Sequence, residues 1–231
     1  MPSVAGDAAR KGARKVTVAR VPARRPATAA PRRAATLRVG VLSLQGDHAK
    51  HGETLRAVGA EPVRISLPEH LEGLDAMILP GGESSTMLRL LDATGLREGV
   101  QAFVRTRPVL GTCAGLILLA KQADRLPTPT LGAIDISATR NAYGRQVHSF
   151  TDPVAMPALE GGVLGVFIRA PRITRVGKGV QVIATHGGET VGVRQGLAVA
   201  LTFHPELTDD ARVHAWFLRD VAGFTLPGRR A

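Results

Sequence analysis

Residues 108–120 read Pro108-Val109-Leu110-Gly111-Thr112-Cys113-Ala114-Gly115-Leu116-Ile117-Leu118-Leu119-Ala120. One short apolar run ends at Gly111, and a second one, long enough for a helix, begins after Gly115. Gly-x-Cys-x-Gly at a strand-to-helix junction is the thiol form of a nucleophile elbow, because the glycines permit a sharp turn around the residue between them. A thiol there projects at a helix N-terminus, where N–H groups and the helix dipole favour the thiolate. We therefore predict that Cys113 is a catalytic nucleophile; the alternative is a buried cysteine that serves as a small hydrophobic residue.

The composition is that of a globular protein. A chain of 231 residues with 44% hydrophobic residues can bury a full core in one or two domains. No apolar run approaches the roughly 18–20 residues that span a bilayer, so we expect no membrane partner. A single cysteine excludes an intramolecular disulfide and a cysteine-cluster zinc site, and it suits a reducing compartment. We predict a cytoplasmic protein without a metal site.

Most of the positive charge lies at the N-terminus. Of the formal net charge of +11, residues 1–36 carry +8, from nine Lys or Arg residues and one acid, Asp7. Their Ala, Arg and Pro content without steady periodicity predicts a disordered extension. Four interpretations stay open: a segment that binds nucleic acid through phosphates, an organelle-targeting peptide, a solvated extension without function, or translated sequence ahead of the natural start. The remainder is nearly balanced, so it predicts no basic patch and no nucleic-acid partner.

Strand-sized and helix-sized segments alternate in the first part of the folded region. Strands are predicted over 38–44, 62–67 and 74–79 and before Gly111, and helices to Val58 and over about 85–94 and 96–106. This alternation predicts right-handed βαβ units around a mostly parallel sheet flanked by helices. Strand-like runs then recur near 131–138, 163–169, 180–185, 190–194 and 198–203, before a helical pattern over 208–222. We predict one α/β domain over residues 37–223, followed by a short tail over 224–231.

A paired-glycine motif follows a predicted strand. Pro80-Gly81-Gly82-Glu83-Ser84 precedes a helix, so its glycines can present backbone N–H groups to an anion or a developing oxyanion. A tight turn with a serine helix cap explains the same residues almost as well.

A histidine and a glutamate end the predicted strand 198–203. Pro205 keeps His204 extended, and period-two geometry returns Glu206 to the same side of the chain. A carboxylate beside an imidazole fixes its tautomer and stabilises the imidazolium, as a base for Cys113 requires; the alternative is a surface turn with an incidental acid. The other six histidines lack this context and are predicted to be surface residues: His48, His51, His70, His148, His186 and His214.

Taken together, the motifs resemble those of the glutaminase subunits of pyridoxal 5′-phosphate synthase, which are triad-type (class I) glutamine amidotransferases with a flavodoxin-like fold. The resemblance spans about Arg38 to Ala222. The elbow and the His-Pro-Glu motif are shared by the whole class. The stretches that select the subfamily are Arg140-Asn141-Ala142-Tyr143-Gly144-Arg145-Gln146 and Phe167-Ile168-Arg169-Ala170-Pro171.

The resemblance implies a reaction and the residues that perform it. Cys113 attacks the side-chain amide of L-glutamine, His204 carries the proton to the leaving ammonia, and Glu206 orients His204. Backbone N–H groups of Gly82 and Ala114 are the implied oxyanion donors. By the same analogy, glutamine is held by Gly82, Glu83, Ser84, Arg140, Ile168 and Arg169.

The resemblance also implies a partner. Ammonia passes to a TIM-barrel synthase subunit, which combines it with a pentose 5-phosphate and glyceraldehyde 3-phosphate, so this chain itself needs no cofactor. Lys50 and His148 stand where acidic residues are usual in the family, which puts details of docking in question. Three alternatives stay open: an amidotransferase subunit of another pathway, a non-catalytic binding module with a basic tail, and a different flavodoxin-like cysteine hydrolase.

Overall fold

The computed structural model describes residues 36–140 and 149–226. Nearly all of the predicted basic extension and most of the predicted C-terminal tail lie outside these residues. The segment 141–148, which includes His148 and most of the subfamily stretch that begins at Arg140, also lies outside them.

A seven-stranded sheet forms the centre of the described part of the chain. In chain order its strands are β1 (Arg38–Leu42), β2 (Glu61–Ile65), β3 (Ala76–Leu79), β4 (Val109–Thr112), β10 (Gln181–His186), β11 (Glu189–Gln195) and β12 (Ala198–Leu201). Across the sheet the order is β10-β11-β12-β4-β3-β1-β2. Strands β12, β4, β3, β1 and β2 pair in parallel, and β10 and β11 add an antiparallel edge. The predicted mostly parallel sheet is confirmed.

Helices cover both faces of this sheet. They are α1 (His48–Ala57), α2 (Ser84–Ala93), α3 (Arg97–Thr106), α4 (Ala114–Leu119) and α5 (Arg212–Trp216). Side chains of β3 alternate between two apolar clusters: Met77 and Leu79 pack with residues of α2, α3 and α4, whereas Ala76 and Ile78 pack with residues of α1 and α5. Two-sided burial explains the continuous apolar runs of these strands. None of the helices in the two described ranges is long and apolar enough to cross a bilayer.

Two smaller sheets contain the strands predicted near 131–138 and 163–169, together with three strands that the sequence pattern did not predict. Strands β5 (Ala120–Ala123), β6 (Ile134–Thr139) and β9 (Arg172–Val176) form one sheet, and β7 (Phe150–Val154) pairs with β8 (Val163–Phe167). Strands β5, β7 and β9 are short and largely exposed, so they lack the apolar run that marks a buried strand. The helix predicted after Gly115 is only six residues long, because strand β5 begins at Ala120.

The helical pattern predicted over 208–222 is wrong at its start and in its regularity. Residues 205–207 form a 3₁₀ turn, α5 begins at Arg212, and Phe217–Val221 form a π-helical turn. Asp210 delays the helix, because its Oδ1 accepts the backbone N–H of Arg212 at 3.0 Å and stabilises a turn instead.

Candidate active site

The loops that follow β1, β3, β4 and β12 meet at the carboxyl edge of the parallel strands, where α/β sheets bind ligands. Cys113 lies between β4 and α4 with φ 49° and ψ −103°. Positive φ is a strained conformation for a residue with a side chain. A hydrogen bond of 2.9 Å from the Cys113 backbone N–H to the Leu201 carbonyl holds the turn.

Close backbone packing explains the glycine after the cysteine. A Cβ at Gly115 would lie 1.9 Å from the carbonyl oxygen of Leu79, so any other residue would push α4 away from β3. The turn therefore has the geometry expected of the Gly-x-Cys-x-Gly pattern.

His204 and Glu206 form a buried pair, but by a different route from the predicted one. His204 Nδ1 lies 2.7 Å from Glu206 Oε1. Strand β12 ends at Leu201, and the 3₁₀ turn over Pro205–Leu207 brings the carboxylate back to the ring. His204 stays out of the helical region, with φ −109° and ψ 90°, but the expected period-two alternation is wrong, because the chain turns at Pro205. The backbone N–H of His204 donates to the carbonyl of Val166 at 2.9 Å, which fixes the turn on β8.

The electrostatics of this pair favour a protonated imidazole. Burial alone lowers the pKa of His204, but hydrogen bonds to Cys113 and Glu206, together with their charges, raise it to about 10. For Glu206, an acid, burial raises the pKa. The neighbouring imidazoles of His51 and His204 outweigh burial and hold the pKa of Glu206 well below its usual range. At neutral pH the site therefore contains an imidazolium next to the sulfur and an ionised carboxylate behind it.

A pocket of about 290 Å³ opens above Cys113. Its lining includes Cys113, His204 and all six residues predicted to hold glutamine: Gly82, Glu83, Ser84, Arg140, Ile168 and Arg169. Glu206 and Ala114 lie behind this lining rather than in it. Within the described ranges, no group of three or more His, Cys, Asp or Glu side chains could hold a metal ion.

Charged groups stand at the rim of the pocket. Arg140 Nη2 lies 2.6 Å from Glu83 Oε1, and Glu83 also caps α2 by accepting from the backbone N–H of Thr86 at 2.7 Å. Burial raises the pKa of Glu83, but hydrogen bonds from Thr86 and the charge of Arg140 lower it overall. Deeper in, the carbonyl of Ile168 is 3.8 Å from Cys113 Sγ, and the next residue, Arg169, has φ 43°. A cation, an anion and a strained backbone segment thus line the pocket that contains the thiol.

A comparison with known families identifies the family of this chain. The profile of the SNO glutamine amidotransferase family matches residues 41–223. This chain belongs to the SNO glutamine amidotransferase family. The resemblance inferred from the motifs is confirmed.

Relatives of this amidotransferase share most of their length with it. The pyridoxal 5′-phosphate synthase subunit PdxT of Geobacillus kaustophilus is 48% identical over 186 residues, which cover 80% of this chain and 95% of the relative. The protein of the same name from Thermotoga neapolitana is 46% identical over 187 residues, covering 80% of this chain and all of the relative. A crystal structure of a glutamine amidotransferase has 46% identity and a TM-score of 0.76, covering 80% of this chain and 99% of that one. A putative GMP synthase subunit from Thermoplasma acidophilum, at 17% identity and a TM-score of 0.61 over 82% of this chain and 96% of that one, shares the fold.

Gln45 is a pocket residue of this amidotransferase to which the sequence assigned no role. Its side-chain Oε1 accepts the backbone N–H of Glu83 at 2.6 Å, so it ties the loop after β1 to the glycine loop after β3. The adjoining Gly46 approaches so closely that a Cβ there would lie 1.8 Å from the carbonyl oxygen of Gly81. Its position immediately after a predicted parallel strand was the available signal.

The prediction that the remaining histidines lie on the surface is wrong for two of them. His51 on α1 and His214 on α5 are both 0% exposed. His51 lies four residues before the buried Leu55, so both occupy the face of α1 that packs on the sheet. That spacing was a sequence signal, but the partners that make a buried imidazole tolerable come from distant parts of the chain.

Proposed function

We propose that this chain is the glutaminase subunit of a pyridoxal 5′-phosphate synthase and that it hydrolyses L-glutamine to L-glutamate and ammonia with Cys113, His204 and Glu206. One observation carries the proposal: a strained cysteine and the histidine of a buried His–Glu pair line a single pocket. Family membership and relatives named PdxT support the same assignment.

The first half of the reaction forms a thioester. The sulfur of Cys113 attacks the side-chain amide carbon of glutamine, and negative charge develops on the amide oxygen. Backbone N–H groups of Gly82 and Ala114 stabilise that charge. The proton held by His204 passes to the nitrogen as the carbon–nitrogen bond breaks, so ammonia leaves and a glutamyl thioester remains.

The second half regenerates the cysteine. His204, now neutral, takes a proton from water as the water attacks the thioester carbonyl. Glutamate leaves with the new carboxyl oxygen, and the proton on His204 restores the imidazolium beside the thiolate. Glu206 stays ionised throughout and keeps Nδ1 of His204 protonated, which directs the other ring nitrogen at the reacting atoms.

The rim charges match the amino-acid end of glutamine. The guanidinium groups of Arg140 and Arg169 attract the α-carboxylate, and Glu83 attracts the α-ammonium group. Ser84 and the carbonyl of Ile168 complete the polar contacts. A substrate bound in this way competes for the ion pair that Arg140 and Glu83 form with each other.

The released ammonia passes to a synthase partner subunit with a TIM-barrel fold, in the cytoplasm, and this chain binds no cofactor of its own. We expect weak activity of the free chain, because the resemblance implies that docking of that partner organises the site.

The test is glutamate release from glutamine, with and without the cognate synthase subunit. Activity that rises with the partner and disappears in Cys113→Ser supports the whole proposal. Activity that ignores this partner keeps the glutaminase and moves the ammonia to another biosynthetic acceptor. A folded wild-type chain that releases no glutamate in either condition overturns the enzyme assignment.

A further inference from the structure

Two buried histidines continue the line of ionisable groups behind His204 and Glu206. His51 Nδ1 lies 2.9 Å from His214 Nε2, although the two residues are 163 positions apart in the chain. The other nitrogen of His51, Nε2, is 3.3 Å from Glu206 Oε1 and 3.2 Å from Thr112 Oγ1. His51 therefore touches both the carboxylate that orients the base and the residue that precedes the nucleophile.

One carboxylate oxygen of Glu206 lies close to both His204 and His51. Glu206 Oε1 is 2.7 Å from His204 Nδ1 and 3.3 Å from His51 Nε2. Within residues 36–140 and 149–226, Glu206 Oε2 is buried and has no hydrogen-bond partner. An ionised carboxylate only accepts hydrogen bonds. His204 Nδ1 makes the short one, and His51 Nε2, which also lies 3.2 Å from Thr112 Oγ1, is the second ring nitrogen beside Oε1. Removing His51 therefore leaves a buried charge with less support.

The hydrogen-bond chain determines which nitrogens carry protons. Burial is the main cause that lowers the pKa of His214 to about 3, so His214 is neutral at neutral pH. Its Nδ1 has no partner among the described residues, so the ring carries its one proton on Nε2 and donates to His51 Nδ1. His51 must then carry its proton on Nε2, the nitrogen that faces Glu206.

The groups that face His51 come from three elements. They are His214 on α5, Glu206 in the turn after β12, and Thr112 at the end of β4. The neighbouring charges on α1, Lys50 and Glu53, pair with each other at 2.9 Å on the exposed side of the helix. His51 itself does not line the glutamine pocket.

We propose that His51, with its tautomer set by His214, is a positioning residue of the glutaminase site that holds Glu206 in line with His204 and ties it to the strand end that carries Cys113. This inference rests on the proposed function. It predicts that His51 affects turnover and the acidity of His204 without contributing to glutamine binding.

Two substitutions distinguish the N–H donor of His51 from the space that its side chain fills. His51→Gln keeps an N–H donor near the position of Nε2, whereas His51→Leu removes it. In the complex with the synthase subunit, we expect kcat of His51→Leu to fall about 10- to 100-fold, as for loss of a hydrogen bond to a buried charge. KM should change less than about threefold, because the residue is outside the pocket. His51→Gln should recover most of the loss, and His186→Gln, a histidine paired with Asp152 elsewhere, should behave as the wild type.

A titration reads the same effect without turnover. In the free chain, ¹⁵N-histidine NMR should show a lower pKa of His204 in His51→Leu than in the wild type, because Glu206 is held less well. If His51→Leu does not fold, the double variant His51→Leu/His214→Leu replaces both ring partners by apolar groups and is measured instead.

The outcomes are distinct. A reduced kcat with an unchanged KM, a lower pKa of His204 and recovery in His51→Gln support the positioning role. An unchanged kcat and pKa of His204 in a folded leucine variant overturn it. A wild type that releases no glutamate overturns the proposed function. The titration would still decide whether His51 positions the Glu206–His204 pair.

Discussion

Glu206→Gln measures how far the proposed triad depends on a buried negative charge. The amide has the shape of the carboxylate and an oxygen that can accept from His204 Nδ1, but it is neutral. In the native site the pKa of His204 is about 10 rather than 6.5. At about 1.36 kcal/mol per pKa unit, this difference favours the imidazolium by about 5 kcal/mol. Cys113 and Glu206 share this stabilisation, since both contact the ring.

If the glutamate supplies half of this energy, its neutralisation removes about 2.5 kcal/mol, which lowers kcat/KM by up to roughly 70-fold at alkaline pH, where the variant has lost the proton of His204. The alkaline limb of the pH profile should also move down by about two pH units, because His204 loses its proton more easily. Glutamate release by the complex, measured from pH 6 to pH 10.5 on both variants, gives both numbers. Asp152→Asn makes the same chemical change at an exposed carboxylate that contacts His186, and it should leave the profile unchanged.

One result would refute this reasoning. A folded Glu206→Gln enzyme whose kcat/KM is within about threefold of the wild type, with the same alkaline limb, would mean that the charge of Glu206 does not set the acidity of His204. The high pKa would then have to come from the contact with Cys113.

Three further changes test other parts of the site. In Gly81→Ala the new methyl group would lie 2.1 Å from Cε1 of His204 and displace the ring, so glutamate release should fall at least 100-fold. The control Gly52→Ala, whose new methyl group would have its nearest neighbour at 3.7 Å, should retain activity. Arg140→Ala should raise KM for glutamine about tenfold or more with a smaller effect on kcat, and Arg175→Ala, in an exposed ion pair, should change neither. Urea unfolding should show the highest stability near pH 6.5. Above it, stability falls towards pH 10, because folded His204, with a pKa of about 10, keeps a proton that the unfolded chain has already released. Below it, stability falls towards pH 3, because the unfolded chain binds a proton that buried His214, with a pKa of about 3, does not bind. His214→Leu should flatten the acid side, and an unchanged acid limb would contradict that assignment.

Local sequence pattern predicted the elements that depend on local physics. Continuous apolar runs marked the parallel strands, because both faces of the sheet are buried. Flanking glycines marked the turn at Cys113, because the close approach of Gly115 to Leu79 excludes any side chain there. The His-Pro-Glu motif predicted the pairing of His204 with Glu206, but not its geometry, since the 3₁₀ turn follows from docking on β8 rather than from strand periodicity.

The spacing of His51 and Leu55 signals a shared helix face, but the partners of the buried histidines could not be predicted from pattern, because they come from distant parts of the chain. Helix α1 reads His-Ala-Lys-His-Gly-Glu-Thr-Leu-Arg-Ala and has the polar composition of an exposed helix. A buried imidazole is tolerated only where its nitrogens find partners. For His51 those partners lie on α5 and in the turn after β12, and local propensity has no information about either.

The glycines of the site have a consequence that individual motifs do not reveal. A Cβ at Gly46 would strike the carbonyl of Gly81, and a Cβ at Gly81 would strike His204. Three segments are therefore in contact in series: the loop after β1, the proposed oxyanion loop after β3 and the proposed base after β12. Neither contact leaves room for one more methyl group. Close-packed contacts transmit displacement rather than absorb it. A shift of the loop after β1 towards Gly81 would therefore press on the loop after β3 and, through it, on the imidazole of His204.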